Sequence, residues 1–379
     1  MTNYTLSGGS AANAIFVIIL FAYVLQTELT QYVQSSLHFR QPYLLFYIAH
    51  SAFTLVLPAH LFYLKVSTGI GPATYLSTLW SIMQTQILAP QSTPSSKFSW
   101  ARYTVFVTLL TAGITCPALL WYASVSLASL SDITALFNTH AFWAYILSTA
   151  LLPPPADQPR WQPYKLIAVL LACIGVFITV YGSADEASPG SNPFLGSLLA
   201  LISAVSYALY QVAYKKWAVP SAVAVSARED GDGDEDDEAA PLAGGTGELA
   251  GQPLPFGLFP NFVTSTAGLA TLGVLWIPMV ASNWFGEGGY QLPGDMWTAV
   301  CVGLIALSGL AFNAGFMILL AVWGPIVASV GNLLTIVLVM LADVILSRDL
   351  SVITFWSLVG SGLIISGFAI LVWEYTTLR

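Results

Sequence analysis

Residues 131–152 read SDITALFNTHAFWAYILSTALL, an apolar stretch that also contains Asp132, Asn138 and His140. At a rise of about 1.5 Å per residue, a helix of this length reaches across the hydrocarbon core of a bilayer, which is about 30 Å thick. Polar side chains inside a membrane span are costly and usually face a helix bundle or a water-filled path. The stretch therefore predicts a spanning helix with one functional face, and the rest of the chain must supply the surrounding bundle.

The composition of the chain is that of a multi-span membrane protein. Of its 379 residues, 56% are hydrophobic and only 8% are charged, and its mean hydropathy is +0.74; soluble domains are far less apolar. The net charge of −8 comes mainly from the acidic run at 229–238, so it describes one loop. No basic surface for nucleic acid is left, and three widely separated cysteines predict neither a metal site nor a cofactor.

Hydropathy predicts an all-α membrane protein with ten transmembrane helices. The predicted spans are residues 13–33, 42–64, 103–123, 131–152, 164–182, 194–214, 258–280, 295–320, 325–346 and 353–374. With the N-terminus in the cytosol, only Arg40 and Arg348 of the 11 Lys and Arg residues fall on the opposite side. Because cytosolic loops are enriched in basic residues, both termini are predicted to be cytosolic.

The two halves of the sequence resemble each other. LLACIGVFITVYG at 170–182 resembles GLIISGFAILVWE at 362–374, and each follows a span that carries an asparagine, Asn138 or Asn332. Since each half has five spans, an odd number, the halves must cross the membrane in opposite senses. The sequence thus predicts a five-plus-five inverted repeat, residues 1–184 and 194–379, of the kind that secondary transporters use for alternating access. A disordered acidic cytosolic loop, 218–256, interrupts the second repeat.

The fourth span has a polar stripe. Helical spacing places Asn138 on one face with Thr134 and Tyr145, whereas His140 lies about 200° away. One straight helix therefore cannot present Asn138 and His140 to the same ligand. Asn138 either contacts a substrate or hydrogen-bonds a neighbouring helix, and His140 is either a packing residue or a gating and proton-handling group. Asp132 with Ser131 is expected to cap the start of the helix.

A second group of polar residues lies in the first two spans. Glu28 and Gln31 are one turn apart, and His50 of the next span can lie at a similar depth. A carboxylate paired with an imidazole is typical of proton-coupled carriers. The alternative is that Glu28 is simply interfacial.

Tyrosines recur along the sixth span. Tyr207 and Tyr210 lie deep in it and suit a flat or cationic ligand through stacking and cation–π attraction. Tyr214 lies beside Lys215, so it is assigned to an interfacial aromatic belt. Asn313 and Asn332 complete the buried polar residues that are expected to bind substrate.

The sequence lacks several common catalytic and nucleotide-binding motifs. It has no phosphate-binding loop, zinc-protease or serine-hydrolase motif, so an enzyme is not expected. Lys and Arg are missing from the middle of every predicted span, which favours a neutral or cationic substrate over a phosphate ester.

Five segments carry a resemblance to a known family: TELTQYVQ (27–34), RQPYLLFYIAHSAF (40–53), ASLSDITALFNTHAFWAYILS (128–148), GSLLALISAVSYALYQVAYKK (196–216) and residues 310–346. The chain resembles the drug/metabolite transporter superfamily with its EamA-like repeats, and within it the thiamine-transporter-like members of the F subfamily of solute carrier family 35. The resemblance implies ten helices, alternating access, an endomembrane location (vacuolar or Golgi) and an organic cation with a flat ring as substrate. Gln211 stands where a lysine is common in these relatives.

Two hypotheses follow. In the first, the protein is a secondary transporter of a small organic solute across a lipid bilayer, with a homodimer left open as its assembly. Its substrate-binding residues are Asn138, Asn332, Tyr207, Tyr210, Gln31, Gln211 and Asn313, and its charge-handling residues are Glu28, His50 and His140. In the second, the protein is a non-transporting scaffold or receptor whose acidic cytosolic loop binds a basic partner.

Overall fold

A computed structural model describes residues 9–84, 99–125, 127–154, 159–182, 192–220, 254–284, 291–347 and 353–377. Within these ranges all regular structure is helical. The acidic run of the predicted cytosolic loop, 229–238, lies outside them, so the predicted disorder of the 218–256 loop stays a prediction.

The first part of the chain forms nine α-helices. They are α1 (Gly9–Ser35), α2 (Pro42–Ser51), α3 (Val56–Thr68), α4 (Pro72–Ile82), α5 (Trp100–Val125), α6 (Leu130–Asn138), α7 (His140–Leu151), α8 (Pro163–Gly182) and α9 (Pro193–Ala213). A 3₁₀ turn, Ala52–Leu55, joins α2 to α3, and a π-helical turn, Tyr214–Ala218, follows α9.

Four further helices follow in the described residues. They are α10 (Leu258–Val274), α11 (Ile277–Trp284), α12 (Met296–Ser347) and α13 (Phe355–Thr377). Asp295 caps the start of α12, because its carboxylate accepts hydrogen bonds from the hydroxyl and the backbone N–H of Thr298. Both hydrogen bonds lower the pKa of Asp295, and the bond from the Thr298 hydroxyl has the larger effect.

Among the described residues, 8 helical segments are long and apolar enough to cross a membrane. The helix α12 contains two of the predicted spans. Its 52 residues, at about 1.5 Å each, make it longer than a bilayer is thick. Its backbone leaves the helical conformation at Gly324 (φ 81°, ψ 172°), directly before Pro325. The predicted fourth span forms two short helices, α6 and α7, instead of one. The count of ten spans therefore stays a prediction.

The described residues fall into two compact units, each of which takes helices from both halves of the sequence. Unit 1 contains Ala112–Lys216 and Trp323–Arg379, and unit 2 contains Ser7–Thr111 and Trp217–Val322. This division by contacts differs from the predicted division into repeats at 1–184 and 194–379. The repeats remain a prediction.

The tightest helix packing in unit 1 is that of α8 against α13. A Cβ atom added at Gly175 would lie 2.6 Å from the carbonyl oxygen of Gly360, and one added at Gly367 would lie 2.6 Å from that of Ala168. Near the other end of this interface, Lys165 Nζ lies 4.0 Å from Glu374 Oε1. Residues later in α8 contact residues earlier in α13, so the two helices are antiparallel. Small residues let their backbones approach closely.

In unit 2, α10 packs against α2, the 3₁₀ turn and α3. Gly268 of α10 lies directly against the backbone of Phe53 and Thr54, and Ser265 donates to the Thr54 carbonyl at 2.9 Å. A separate apolar cluster joins α1, α2 and α12 through Val33, Leu45 and Ile305.

Candidate functional site

The helical hydrogen-bond pattern of the stretch 131–152 is interrupted at Thr139, between α6 and α7, while the Thr139 backbone stays in the right-handed helical region (φ −64°, ψ −7°). Three consecutive side chains bond carbonyl oxygens of the preceding turn: Asn138 Nδ2 donates to Thr134 (2.8 Å), Thr139 Oγ1 to Leu136 (2.6 Å) and His140 Nδ1 to Phe137 (3.1 Å). Such local bonds compete with the helical hydrogen-bond ladder. That Asn138 and His140 lie on opposite faces of a straight helix stays a prediction.

The start of α6 is capped by Ser129. Its Oγ accepts the backbone N–H of Asp132 at 3.1 Å and donates to Asp132 Oδ2 at 2.7 Å. Tyr181 of α8 donates to Asp132 Oδ1, also at 2.7 Å. Asp132 thus has the expected capping role, but its partner is Ser129 rather than Ser131.

His140 is fully buried at the start of α7. Since a carbonyl oxygen only accepts, the bond to Phe137 places the ring proton on Nδ1 and leaves Nε2 as an acceptor. Nε2 is buried and has no hydrogen-bond partner among the described residues. The edge of the imidazole meets Tyr207 of α9, with ring centroids 5.2 Å apart. Tyr207 also stacks on Phe137 at 5.8 Å.

One face of α9 and its π-helical extension continues this polar path. Tyr207, Gln211 and Tyr214 follow one another at spacings of four and three residues, which places them on the same side of a helix. Gln211 is fully buried and its Oε1 accepts a hydrogen bond from Ser329 Oγ of α12 at 2.5 Å. Its Nε2 and the Tyr214 hydroxyl are buried without a partner in the described part of the chain. Tyr214 is only 2% exposed, so its side chain packs against other described helices rather than lying on an open surface.

Asn332 lies one turn beyond Ser329 on α12. Its side chain is 9% exposed, and its Oδ1 is buried with no hydrogen-bond partner among the residues that the structure describes. We call Asn332, Gln211, Tyr214 and His140 the uncommitted polar set. This set offers two acceptors, one amide donor and one hydroxyl, and it carries no charged side chain. All four residues belong to unit 1. Four other residues of unit 1, Thr115, Ser148, Ser361 and Glu374, also have a buried side-chain oxygen without a partner in the described part of the chain.

A buried polar atom without a partner costs about 1–3 kcal/mol of stability. Native proteins contain few such atoms, so each one requires an explanation. A ligand with complementary donors and acceptors would recover this cost. The uncommitted polar set is therefore the strongest candidate for a binding site in unit 1.

Tyr210 is committed to packing against α5. A Cβ atom added at Gly113 would lie 2.6 Å from Tyr210 Cδ2, so the ring fills the space above this glycine. Two turns before Tyr210 on α9, Ser203 donates to the carbonyl of Pro117 at 2.7 Å. Of the two predicted tyrosines, Tyr207 is the one that the structure places beside His140.

The remaining predicted residues lie in unit 2. Asn313 donates to the Gly309 carbonyl at 2.8 Å within its own helix, and Gln31 is exposed. The His50 ring lies between Phe46 and Phe53, at centroid distances of 4.1 and 4.7 Å. Glu28 of α1 is half-buried. The predicted substrate residues are therefore divided between the two units, with Asn138, Asn332, Tyr207, Tyr210 and Gln211 in unit 1.

Sequence reasoning missed Ser329 and a polar pair in unit 2, His60 with Asn261. Ser329 precedes Asn332 by one helical turn, a spacing that could have pointed to it. His60 and Asn261 each stand as a polar residue within a predicted apolar span, which is a default signal for function in membranes.

Comparisons with known proteins support a membrane transporter fold. An uncharacterized transporter of Schizosaccharomyces pombe is 23% identical over 369 residues, which cover 94% of this chain and 93% of that protein. A solved crystal structure of a protein superposes with a TM-score of 0.59 at 15% sequence identity, covering 98% of this chain and 99% of that one. No protein-family model matches the chain. The chain is a multi-pass integral membrane protein of all-helical class.

Proposed function

We propose that the chain is a secondary transporter that moves a small organic solute across a membrane by alternating access. The similarity to a protein named as a transporter, over nearly the full length of both chains, supports this function. Buried polar residues within apolar helices, Gln211 and Asn332 among them, support it as well, because such residues often mark substrate paths.

The proposed architecture is ten spans in a five-plus-five inverted repeat. Two spans would come from α12, divided at Gly324, and one from α6 and α7 together. The antiparallel packing of α8 and α13, the two helices with similar sequences, agrees with halves of opposite orientation. In this proposal the repeats are of the EamA-like type of the drug/metabolite transporter superfamily, and the chain is a member of the F subfamily of solute carrier family 35.

The observation that carries the proposal is the uncommitted polar set beside Tyr207. A solute that fits it donates hydrogen bonds to His140 Nε2 and Asn332 Oδ1, accepts one from Gln211 Nε2, and presents a flat ring to Tyr207. Since the set has no cationic side chain, the solute is neutral or positively charged. A thiamine-like organic cation meets these requirements.

The remaining parts of the proposal concern coupling and location. Glu28 and His50 would couple transport to protons, or the carrier would work by exchange. The compartment would be an endomembrane, vacuolar or Golgi, with both termini in the cytosol. The coupling role rests on a carboxylate and an imidazole at similar depth in the first two spans, the orientation on the distribution of basic residues, and the compartment on the family resemblance.

The test separates transport from stability by means of two buried tyrosines. Tyr214 and Tyr145 are 2% and 1% exposed, but the Tyr145 hydroxyl donates to the Gln162 carbonyl at 3.2 Å, whereas that of Tyr214 has no partner in the described chain. Purified protein in proteoliposomes is assayed for uptake across a solute panel that includes thiamine.

Tyr214→Phe should lower uptake while thermal stability stays equal or rises, because the change removes an unpaired buried hydroxyl. Tyr145→Phe, the matched control, should lower stability and leave the solute site intact. The absence of saturable uptake of any solute by the wild type would refute transport. Normal uptake by Tyr214→Phe would refute the site.

A further inference from the structure

The helices α3 and α10 of unit 2 are joined by a side-chain pair that no part of the proposed substrate site uses. Asn261 Nδ2 lies 2.8 Å from His60 Nδ1, across 201 positions of sequence. Asn261 is 8% exposed, and its Oδ1 is buried without a hydrogen-bond partner among the described residues.

The chemistry of the pair fixes the state of the histidine ring. An amide nitrogen only donates, so His60 Nδ1 must be the acceptor. The ring is then neutral and carries its proton on Nε2. His140 has the opposite tautomer, because its Nδ1 faces a carbonyl oxygen.

Protonation of His60 would make this contact repulsive. With a proton on Nδ1, two donors would face each other at the 2.8 Å separation. A half-turn of the Asn261 amide removes the conflict, because Oδ1 then accepts from Nδ1–H and Nδ2 takes the former place of Oδ1. The pair has two arrangements, one for each charge state of the ring: the amide oxygen is the unpaired atom in the first, and the amide nitrogen is the unpaired atom in the second.

No acidic side chain lies on α2, α3, α4, the 3₁₀ turn 52–55 or α10, or within 314–322 of α12. Residues 258–274 of α10 and the 3₁₀ turn contain no titratable side chain, and α4 contains only Tyr75, which is hydrogen-bonded to Thr68. The titratable residues of α2 are His50 and two tyrosines, Tyr43 and Tyr47, whose hydroxyls donate to carbonyls of Leu275 and Leu272. On α3 itself, the ring of Tyr63 is 6.3 Å from that of His60, and Lys65 lies beyond it. A proton on His60 is thus held by an amide rather than by a fixed negative charge, so it can be released.

The backbone brings the pair together. Gly257, which precedes α10, has a left-handed conformation (φ +75°), and a Cβ atom there would lie 2.7 Å from Ile318 Cδ1 and 3.9 Å from His60 Cε1. One turn after Asn261, Ser265 bonds the Thr54 carbonyl. A change at His60 therefore acts directly on the first turns of α10, where this helix meets its neighbours.

We propose that His60 and Asn261 form a proton-binding site in which the amide of Asn261 reverses when His60 gains a proton. This inference rests on the proposed transport function for its role, which is to couple solute movement to a proton gradient. It adds His60 to the proton-handling residues proposed above, Glu28 and His50.

The first experiment measures the proton directly and does not depend on transport. The chain has 4 histidines, so ¹⁵N spectra of histidine-labelled protein in lipid nanodiscs can be assigned by comparison with His60→Gln. At high pH the His60 signal should show the Nε2–H tautomer, and acidification should protonate both nitrogens. Asn261→Asp should reverse the tautomer to Nδ1–H, because a carboxylate only accepts. A wild-type Nδ1–H tautomer, or a ring that never titrates, would overturn the proposal.

The second experiment uses proteoliposomes with and without a pH gradient. His60→Gln should abolish stimulation by the gradient and keep solute exchange, while His38→Gln, the same change at a histidine outside the proposed coupling and substrate residues, should keep both. Stimulation that survives in His60→Gln overturns the coupling role. If the wild type shows no uptake at all, the transport function is refuted, and the spectra still decide whether His60 binds the proton.

Discussion

Replacing Gly360 of α13 by alanine is expected to destabilise the packing of α13 against α8. A Cβ atom at this position would lie 2.5 Å from the Gly175 carbonyl oxygen and 2.6 Å from the Thr179 amide nitrogen, and it would overlap the Thr179 hydroxyl. Ordinary contacts of carbon with such atoms are about 3.5 Å or longer. The helices would have to separate by about 1 Å, and two of the opposing atoms belong to backbone that cannot rotate away.

Gly362 of the same helix supplies the control. A Cβ atom there would have no neighbour within 4 Å. Both changes replace glycine by alanine inside a helix and gain the same helix propensity, about 1 kcal/mol. The difference between the two variants therefore isolates the cost of overpacking, which is about 1–3 kcal/mol.

The assay is the temperature at which half of the purified protein loses its monodisperse chromatographic peak in detergent. Gly362→Ala should match or exceed the wild type, and Gly360→Ala should lie clearly below both. Equal midpoints for the two variants would refute the close antiparallel packing of α8 and α13.

Three further predictions concern stability and the solute site. Ser129→Ala should lower the thermal midpoint, because it removes an N-cap that contributes about 1 kcal/mol of stability, whereas Ser131→Ala should leave the midpoint unchanged. If only Ser131→Ala lowered the midpoint, Ser131 would be the cap, as the sequence predicts. Arg160 donates from Nε and Nη2 to the carbonyls of Thr149 and Ala150 at 2.7 and 2.8 Å, so Arg160→Gln should cost about 1 kcal/mol of stability, and an unchanged midpoint would count against the contact. Asn332→Leu should lower uptake without lowering the midpoint, and a destabilised variant with normal uptake would contradict a ligand-facing role.

Sequence reasoning named several residues of the candidate site in unit 1 because a polar residue in an apolar span is itself a signal. Asn332 and Gln211 are nearly or fully buried, and Tyr207 contacts His140, as a polar and aromatic bundle interior requires. The contact of Gln211 with Ser329 spans 118 positions. Periodicity assigns each residue to a face of its own helix, but it does not say which helix that face meets.

The interruption of the hydrogen-bond pattern at Thr139 could not be predicted from the same periodicity. Asn138 and Thr139 bond carbonyls of the preceding turn, yet such bonds also occur in helices that stay intact. Aromatic contacts of Phe137 and His140 with Tyr207 accompany the interruption here, and they depend on tertiary structure. In the same way, the burial of Tyr214 was missed because adjacent lysines suggested an interface.

The uncommitted polar set has a practical consequence for finding the solute. Four buried polar atoms without partners in the described chain make the protein less stable than it would be with them paired. Any compound that pairs them binds the folded state selectively, and at a concentration of about 100 times its Kd it adds about 2.7 kcal/mol of stability. A thermal-shift screen of purified protein against metabolite collections would therefore reveal the cargo as a rise in melting temperature, which Tyr214→Phe and Asn332→Leu should diminish.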